Sequence, residues 1–258
     1  MRRLVIIVFT LLFSTHVVAE DQAIAKIFAQ QGIDGTLVIS SLHHEQVFIH
    51  NASRANRRFP TASTFKILNT LIALEEKAIS GKNAVFKWNG HIYSIPDWNH
   101  DQTLESAFKV SCVWCFQEIA RSVGAEKYRN YLRKSTYGEL HEPFDETTFW
   151  LDGSLLISAV EQVNFLKKVY QRTLPFSASS YEILKQIMLV EKTPAYSLFA
   201  KTGLASQAQP AIGWYVGYLE IEKQVWFFAM NLDVRDEKDL SLRPRLTRAA
   251  LQIKGIIE

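Results

Sequence analysis

Two periodicities divide this chain, and together they leave it few folds to choose from. Near the start, Gly35 to His50 alternates apolar and polar residues: Thr36-Leu37-Val38-Ile39, a turn near His43-His44-Glu45, then Gln46-Val47-Phe48-Ile49. A period of two marks strands, so this stretch predicts a β-hairpin. Near the end, Tyr196 to Ala200, Ile212 to Glu220 and Gln224 to Asp233, the last of them rich in Val, Trp and Phe, predict three more strands. Between these ends the apolar spacing is helical, at about 63–78, 103–110, 112–122, 125–134, 158–171 and 179–190, and a last helix is expected over 242–257. Strands at both ends around a helical middle predict an α+β fold, an antiparallel sheet flanked by terminal helices with an inserted helical lobe. The sheet lobe is expected at about 20–60 and 191–258 and the helical lobe at about 61–190. A cleft between two such lobes is a favoured ligand site.

The first nineteen residues read as a secretory leader: Arg2 and Arg3, an apolar run from Leu4 to Phe13, then Val17-Val18-Ala19 suited to cleavage before Glu20. The apolar run is about ten residues, short of the roughly twenty that a membrane span requires. The expected product is a periplasmic single-domain protein with no membrane span after cleavage. Removing Arg2 and Arg3 takes the formal charge from +3 to +1. That is too weak a balance, with no basic stripe, for a nucleic-acid partner. Cys112 and Cys115 are the only cysteines. They read either as small apolar residues on a buried helix or as a local disulfide, since no second pair completes a zinc site and no thioredoxin-like strand precedes them.

The chemistry begins at Pro60-Thr61-Ala62-Ser63-Thr64-Phe65-Lys66. Residues i and i+3 share a helix face, so Ser63 and Lys66 come within reach of each other. A serine hydroxyl needs an adjacent base, and a lysine can serve only if burial or modification removes its charge. Ser-x-x-Lys is expected about once by chance in a chain of this length, and a second copy, Ser106-Ala107-Phe108-Lys109, is present. Context separates them. Ser63 opens a helix after a loop, where unpaired N–H groups can hold an oxyanion, whereas Ser106 lies within a helical stretch.

Other features follow in order. Ser111-Cys112-Val113 stands at a helix start, where Ser111 is either a proton relay or a cap. Tyr137-Gly138-Glu139 precedes Phe149-Trp150-Leu151-Asp152-Gly153, and Trp150 is either core or an indole donor to a buried anion. Lys201-Thr202-Gly203 ends a predicted strand, where a lysine and a hydroxyl can hold a carboxylate. Arg243, on or near the last helix, is either a bidentate partner for a carboxylate or a solvated surface residue.

Ser-x-x-Lys, Ser-x-Val and Lys-Thr-Gly in that order form the serial pattern of penicillin-recognising serine enzymes. With Tyr137-Gly138, the Phe149–Gly153 stretch, Gly213-Trp214, Trp226-Phe227-Phe228-Ala229 and Leu242-Arg243, the chain resembles a class D (oxacillinase-type) serine β-lactamase over residues 30 to 258. The resemblance implies hydrolysis of β-lactams through an acyl-serine on Ser63, with Lys66 as an N-carboxylated general base. It implies roles for Ser111, Lys201 and Trp150 in catalysis and for Val113, Thr202, Gly203, Leu204 and Arg243 in substrate binding. It implies no metal, no cofactor beyond carbon dioxide or bicarbonate, small-molecule β-lactams as the partners, and a monomer or homodimer. Two departures stand out. Glu139 replaces the family's usual asparagine and is expected to bring a carboxylate to the cleft rim, and the family does not regularly carry the pair Cys112 and Cys115. A penicillin-binding peptidase or a β-lactam sensor domain shares the serine and lysine chemistry but keeps its acyl-enzyme.

Overall fold

The computed structural model describes residues 19–43, 46–222 and 224–258; the expected leader through residue 18, and His44 and Glu45 of the expected hairpin turn, lie outside the described residues. The central sheet has six strands in the order β2 (Val47–His50), β1 (Gly35–Ser41), β11 (Gln224–Val234), β10 (Ala211–Ile221), β9 (Ser197–Ala205) and β8 (Leu189–Lys192). Every pairing is antiparallel, with Leu37 opposite Met230, Tyr215 opposite Met230, and Trp214 opposite Gly203.

The sheet is covered on both faces, which is why β11 reads as the near-continuous apolar run Trp226-Phe227-Phe228-Ala229-Met230. Leu37, Ile39, Ala200, Tyr215, Phe228 and Met230 point to one face, against the terminal helices α1 (Gln22–Gln31) and α9 (Leu242–Ile253). Val38, Phe199, Trp214, Val216, Phe227 and Ala229 point to the other, joining the core of the helical lobe. Helix α7 (Ala159–Gln171) joins that second core through Val163, Phe165 and Leu166; it starts in a capping box, with Ser158 and Glu161 satisfying each other's backbone N–H.

The remaining helices are α2 (Ala52–Asn56), α3 (Lys66–Glu75), α4 (Leu104–Lys109), α5 (Val113–Val123), α6 (Ala125–Ser135) and α8 (Ala178–Met188). Two small sheets that alternation does not reveal complete the set: β3 (Phe59–Pro60) and β6 (Glu139–Leu140) flank β7 (Leu155–Ile157), and β4 (Val85–Phe86) pairs with β5 (Gln102–Thr103). Helix α3 runs through the middle of the molecule. Its residues from Lys66 to Ala73 are all buried, and a helix sequestered on every side has no polar face to show. No helix among the described residues is long and apolar enough to cross a membrane.

Candidate active site

Ser63 reaches its position through a strained turn. Strand β3 pairs with β7, and Thr61 N–H donates to the Leu155 carbonyl at 3.1 Å. The chain then turns through Ala62, whose φ of +46° places a non-glycine residue in the left-handed region. Such a conformation costs roughly 1–2 kcal/mol and persists only where its surroundings fix it. The fixings are visible. Trp214 Nε1 on β10 donates to the Pro60 carbonyl at 2.9 Å. The Thr64 hydroxyl donates to the Thr61 carbonyl at 2.6 Å and accepts from buried Gln162 Nε2 of α7 at 2.7 Å. Ala62–Phe65 is a 3-10 turn, and the α-helix begins only at Lys66, three residues later than the apolar spacing predicts.

Lys66 therefore stands at the first residue of the buried helix. It is completely shielded from solvent, and its Nζ lies 3.1 Å from Ser63 Oγ and 4.8 Å from the centre of the Phe116 ring. No carboxylate among the described residues forms an ion pair with it. Burial alone pulls its pKa from the usual lysine range down to about 7, so a substantial fraction of the amine is neutral at neutral pH. Trp150 is equally buried, stacks on Phe65 at 5.9 Å, and keeps an indole N–H with no hydrogen-bond partner among the described residues. An orphaned buried donor is rare and calls for an acceptor.

Above this pair lies a cleft of about 420 Å³, lined by Ser63, Ser111, Val113, Leu151, Thr202, Gly203, Leu204 and Arg243 among others. Lys66, Trp150 and Lys201 do not line it; they are buried around it. Lys201 Nζ lies 2.5 Å from Ser111 Oγ and 3.0 Å from the Thr202 carbonyl. Burial, the Lys66 amine and the Arg243 guanidinium, in that order, hold Lys201 well below the ordinary lysine pKa. The Lys-Thr-Gly stretch does not end its strand, because β9 continues to Ala205, but β8 pairs only with Ser197–Phe199. From Lys201 onward that side of β9 is free of β8.

Glycines admit the close approaches here. A Cβ on Gly203 would sit 3.2 Å from Thr64 Cγ2 and 3.4 Å from Ser63 N, so β9 lies directly against the nucleophile turn. A Cβ on Gly213 would meet Arg243 Cδ at 3.0 Å. Arg243 donates from Nη1 to the Gly203 carbonyl and from Nε to the Leu240 carbonyl, leaving Nη2 without a partner among the described residues. Burial lowers its pKa to about 10, so it remains a cation at neutral pH.

The residues proposed from sequence thus converge on one place, with one correction. Glu139 does not reach the cleft. It lies on β6, half-exposed, paired with Arg58, which also grips Glu161, and with His141 Nε2 at 3.4 Å. Its carboxylate ties β6 to the segment leading into β3. The cysteine alternatives also resolve: Cys112 and Cys115 form a disulfide. Sequence reasoning missed the cleft-lining roles of Ile95, Trp98, Lys109 and Gln207. Among these, only Trp98 left a signal, as a large apolar residue in a polar loop.

The chain matches the family model described as the penicillin binding protein transpeptidase domain over residues 29–252. It is 40% identical over 230 residues to β-lactamase OXA-48 of Klebsiella pneumoniae, covering 89% of this chain and 87% of that one. It is 35% identical over 243 residues to β-lactamase OXA-10 of Pseudomonas aeruginosa, covering 93% and 91%. Among solved structures, the class D β-lactamase FUS-1 of Fusobacterium nucleatum subsp. polymorphum superposes with a TM-score of 0.90 at 36% identity, over 93% of this chain and 100% of that one. The class D enzyme YbXI from Nostoc gives 0.88 at 38% identity, over 90% and 98%. A buried lysine beside a cleft serine, a Lys-Thr-Gly strand laid against that serine and likeness along nearly the whole chain agree: this protein belongs to the class D β-lactamase family.

Proposed function

We propose that this protein is a serine β-lactamase that opens β-lactams through an acyl-serine on Ser63, with Lys66 as the single general base for both half-reactions. The observation that carries this reading is the fully buried Lys66 amine, 3.1 Å from Ser63 Oγ and without a carboxylate partner among the described residues. A neutral amine can add carbon dioxide, and the buried, unpartnered Trp150 N–H is a donor suited to the resulting anion. Adding carbon dioxide releases one amine proton to solvent and gives Lys66 an oxygen base. That base takes the Ser63 proton, hands it on to the deprotonated Lys201 after acylation, and then takes a proton from water, which passes to the Ser63 oxygen as the acyl group leaves.

The remaining roles belong to the side chains around it. Ser63 attacks the lactam carbonyl. The backbone N–H groups of Ser63 and Leu204 hold the oxyanion, each worth on the order of 3 kcal/mol. Ser111 passes a proton to the leaving nitrogen, replenished from Lys201, whose lowered pKa suits proton transfer better than a surface lysine's would. Thr202 and the free Nη2 of Arg243 hold the substrate carboxylate. The disulfide is consistent with an exported protein in an oxidising compartment.

The test is steady-state hydrolysis of nitrocefin. Sustained turnover, stimulated by bicarbonate and abolished in Ser63→Ala, is expected. One burst equal to the enzyme concentration, with no turnover after it, would assign the chain to the peptidases or sensors instead.

A further inference from the structure

Ser111 occupies a conformation that its own chemistry disfavours, and the local hydrogen bonds leave half of its support unexplained. Its φ is +57°, in the left-handed region, within the three-residue link Val110-Ser111-Cys112 between α4 and α5. On the α4 side the turn closes well. Cys112 N–H donates to the Ala107 carbonyl at 2.9 Å and Ser111 N–H to the Phe108 carbonyl at 3.3 Å, a helix ending in which glycine is the usual residue at this position. On the α5 side the N-cap is Cys112, where helices prefer the oxygen of Ser, Thr, Asp or Asn. The cap atom is a sulfur, a weak acceptor, 3.3 Å from the Cys115 N–H. What that contact lacks in strength is supplied covalently, because the same sulfur is bonded to Cys115.

We propose that the Cys112–Cys115 disulfide is a covalent N-cap of α5, which makes these two cysteines positioning residues for Ser111. This rests on the β-lactamase reading of the site. The bridge sits where both halves of that site meet. Cys112 follows Ser111, whose Oγ lies 2.5 Å from Lys201 Nζ. Cys115 precedes Phe116, whose ring faces the Lys66 amine at 4.8 Å. Trp98 Nε1 holds the opposite end of the link through the Val110 carbonyl at 3.0 Å. A redox-exchange role does not fit, because both cysteines are completely buried and an exchanging thiol must be reached. Bridge formation removes two protons and two electrons from the thiols, accepted by a disulfide-exchange oxidant as the chain folds.

The experiment compares three chains in nitrocefin hydrolysis: the wild type, Cys112→Ala/Cys115→Ala, and Cys112→Ser/Cys115→Ala. Alkylation of the denatured, unreduced wild type is expected to label neither cysteine. The alanine pair is expected to lose about tenfold or more in kcat, with KM changed by less than about threefold, because a displaced Ser111 slows proton delivery rather than binding. The serine-capped chain, which regains a cap oxygen without any bridge, is expected to recover kcat to within about twofold of wild type. Should the alanine pair fail to fold, the serine-capped chain decides alone: a loss of about tenfold there overturns the capping role. Two labelled thiols in the wild type, or an alanine pair with unchanged kcat, overturn it as well. A wild type with no nitrocefin turnover brings down the hydrolase reading and this inference with it, whereas an active wild type beside an equally active alanine pair removes this inference only.

Discussion

The chain carries the same tetrad twice, and the two copies have become different things. Ser63 and Lys66 straddle a 3-10 turn and the first residue of a buried helix; the amine is fully shielded, lies 3.1 Å from the hydroxyl and has its pKa lowered to about 7. Ser106 and Lys109 lie within α4. Ser106 forms a capping box with Thr103, and Lys109 is half-exposed and bonds Glu105 at 2.7 Å. Spacing brings a lysine near a serine in principle, but burial decides whether the lysine loses its charge, and the preceding backbone decides whether the serine faces a cleft. Lys109 does reach the cleft wall, yet it does so as a solvated, paired cation.

Changes at the two copies separate proximity from burial. The largest effect is expected from Lys66→Met, which should lower nitrocefin kcat/KM by on the order of a thousandfold or more by removing the base. The same change relieves the burial of an ionisable group, so thermal denaturation should show a chain at least as stable as wild type. Next, Trp150→Phe keeps the packing but removes the orphaned N–H. It should reduce kcat by about tenfold in bicarbonate-depleted buffer and recover in part when bicarbonate is added. Activity indifferent to bicarbonate would detach Trp150 from Lys66.

A pH series sharpens the contrast further. Lys66 is a base whose folded pKa is depressed, so between about 7 and its unfolded value of 10.5 the unfolded chain binds more protons than the folded one. Stability from this group therefore rises with pH across that window, and its full penalty is felt below about 7. The free amine needed for carboxylation is lost over the same acid limb. Turnover without added bicarbonate should fall as pH drops through about 7, and saturating bicarbonate should move that limb to lower pH. The smallest effects belong to the second tetrad. Ser106→Ala should cost about 1 kcal/mol in chemical denaturation through the lost capping interaction, with kcat unchanged.

Much of the fold and of the site is legible in the sequence, for identifiable reasons. Strands β10 and β11 are long and β-branched or aromatic, and the order of Ser63, Lys66, Ser111 and Lys201 survives any loop variation. Other elements left no periodic trace. Strand β8 continues the apolar run Ile187-Met188 without a break and so reads as the end of α8. The two- and three-residue strands β3, β6 and β7 are too short to alternate, although they carry the turn that presents Ser63. The positive φ of Ala62 and Ser111 is invisible in residue type: Ala62 is fixed by Trp214 and Gln162 from distant elements, and Ser111 sits in a turn that closes on the Ala107 and Phe108 carbonyls. Glu139 sits away from the cleft rim expected of it because the partner that fixes it, Arg58, lies far off in sequence.

On this proposal the buried amine of Lys66, and not the exposed amine of Lys109, captures carbon dioxide. The direct measurement is carbon-13 NMR of the protein equilibrated with labelled bicarbonate near pH 8. The expected spectrum has one carbamate carbon signal, absent in Lys66→Met and unchanged in Lys109→Met. A turning-over enzyme with no such signal, or a signal that disappears with Lys109 instead, would contradict it.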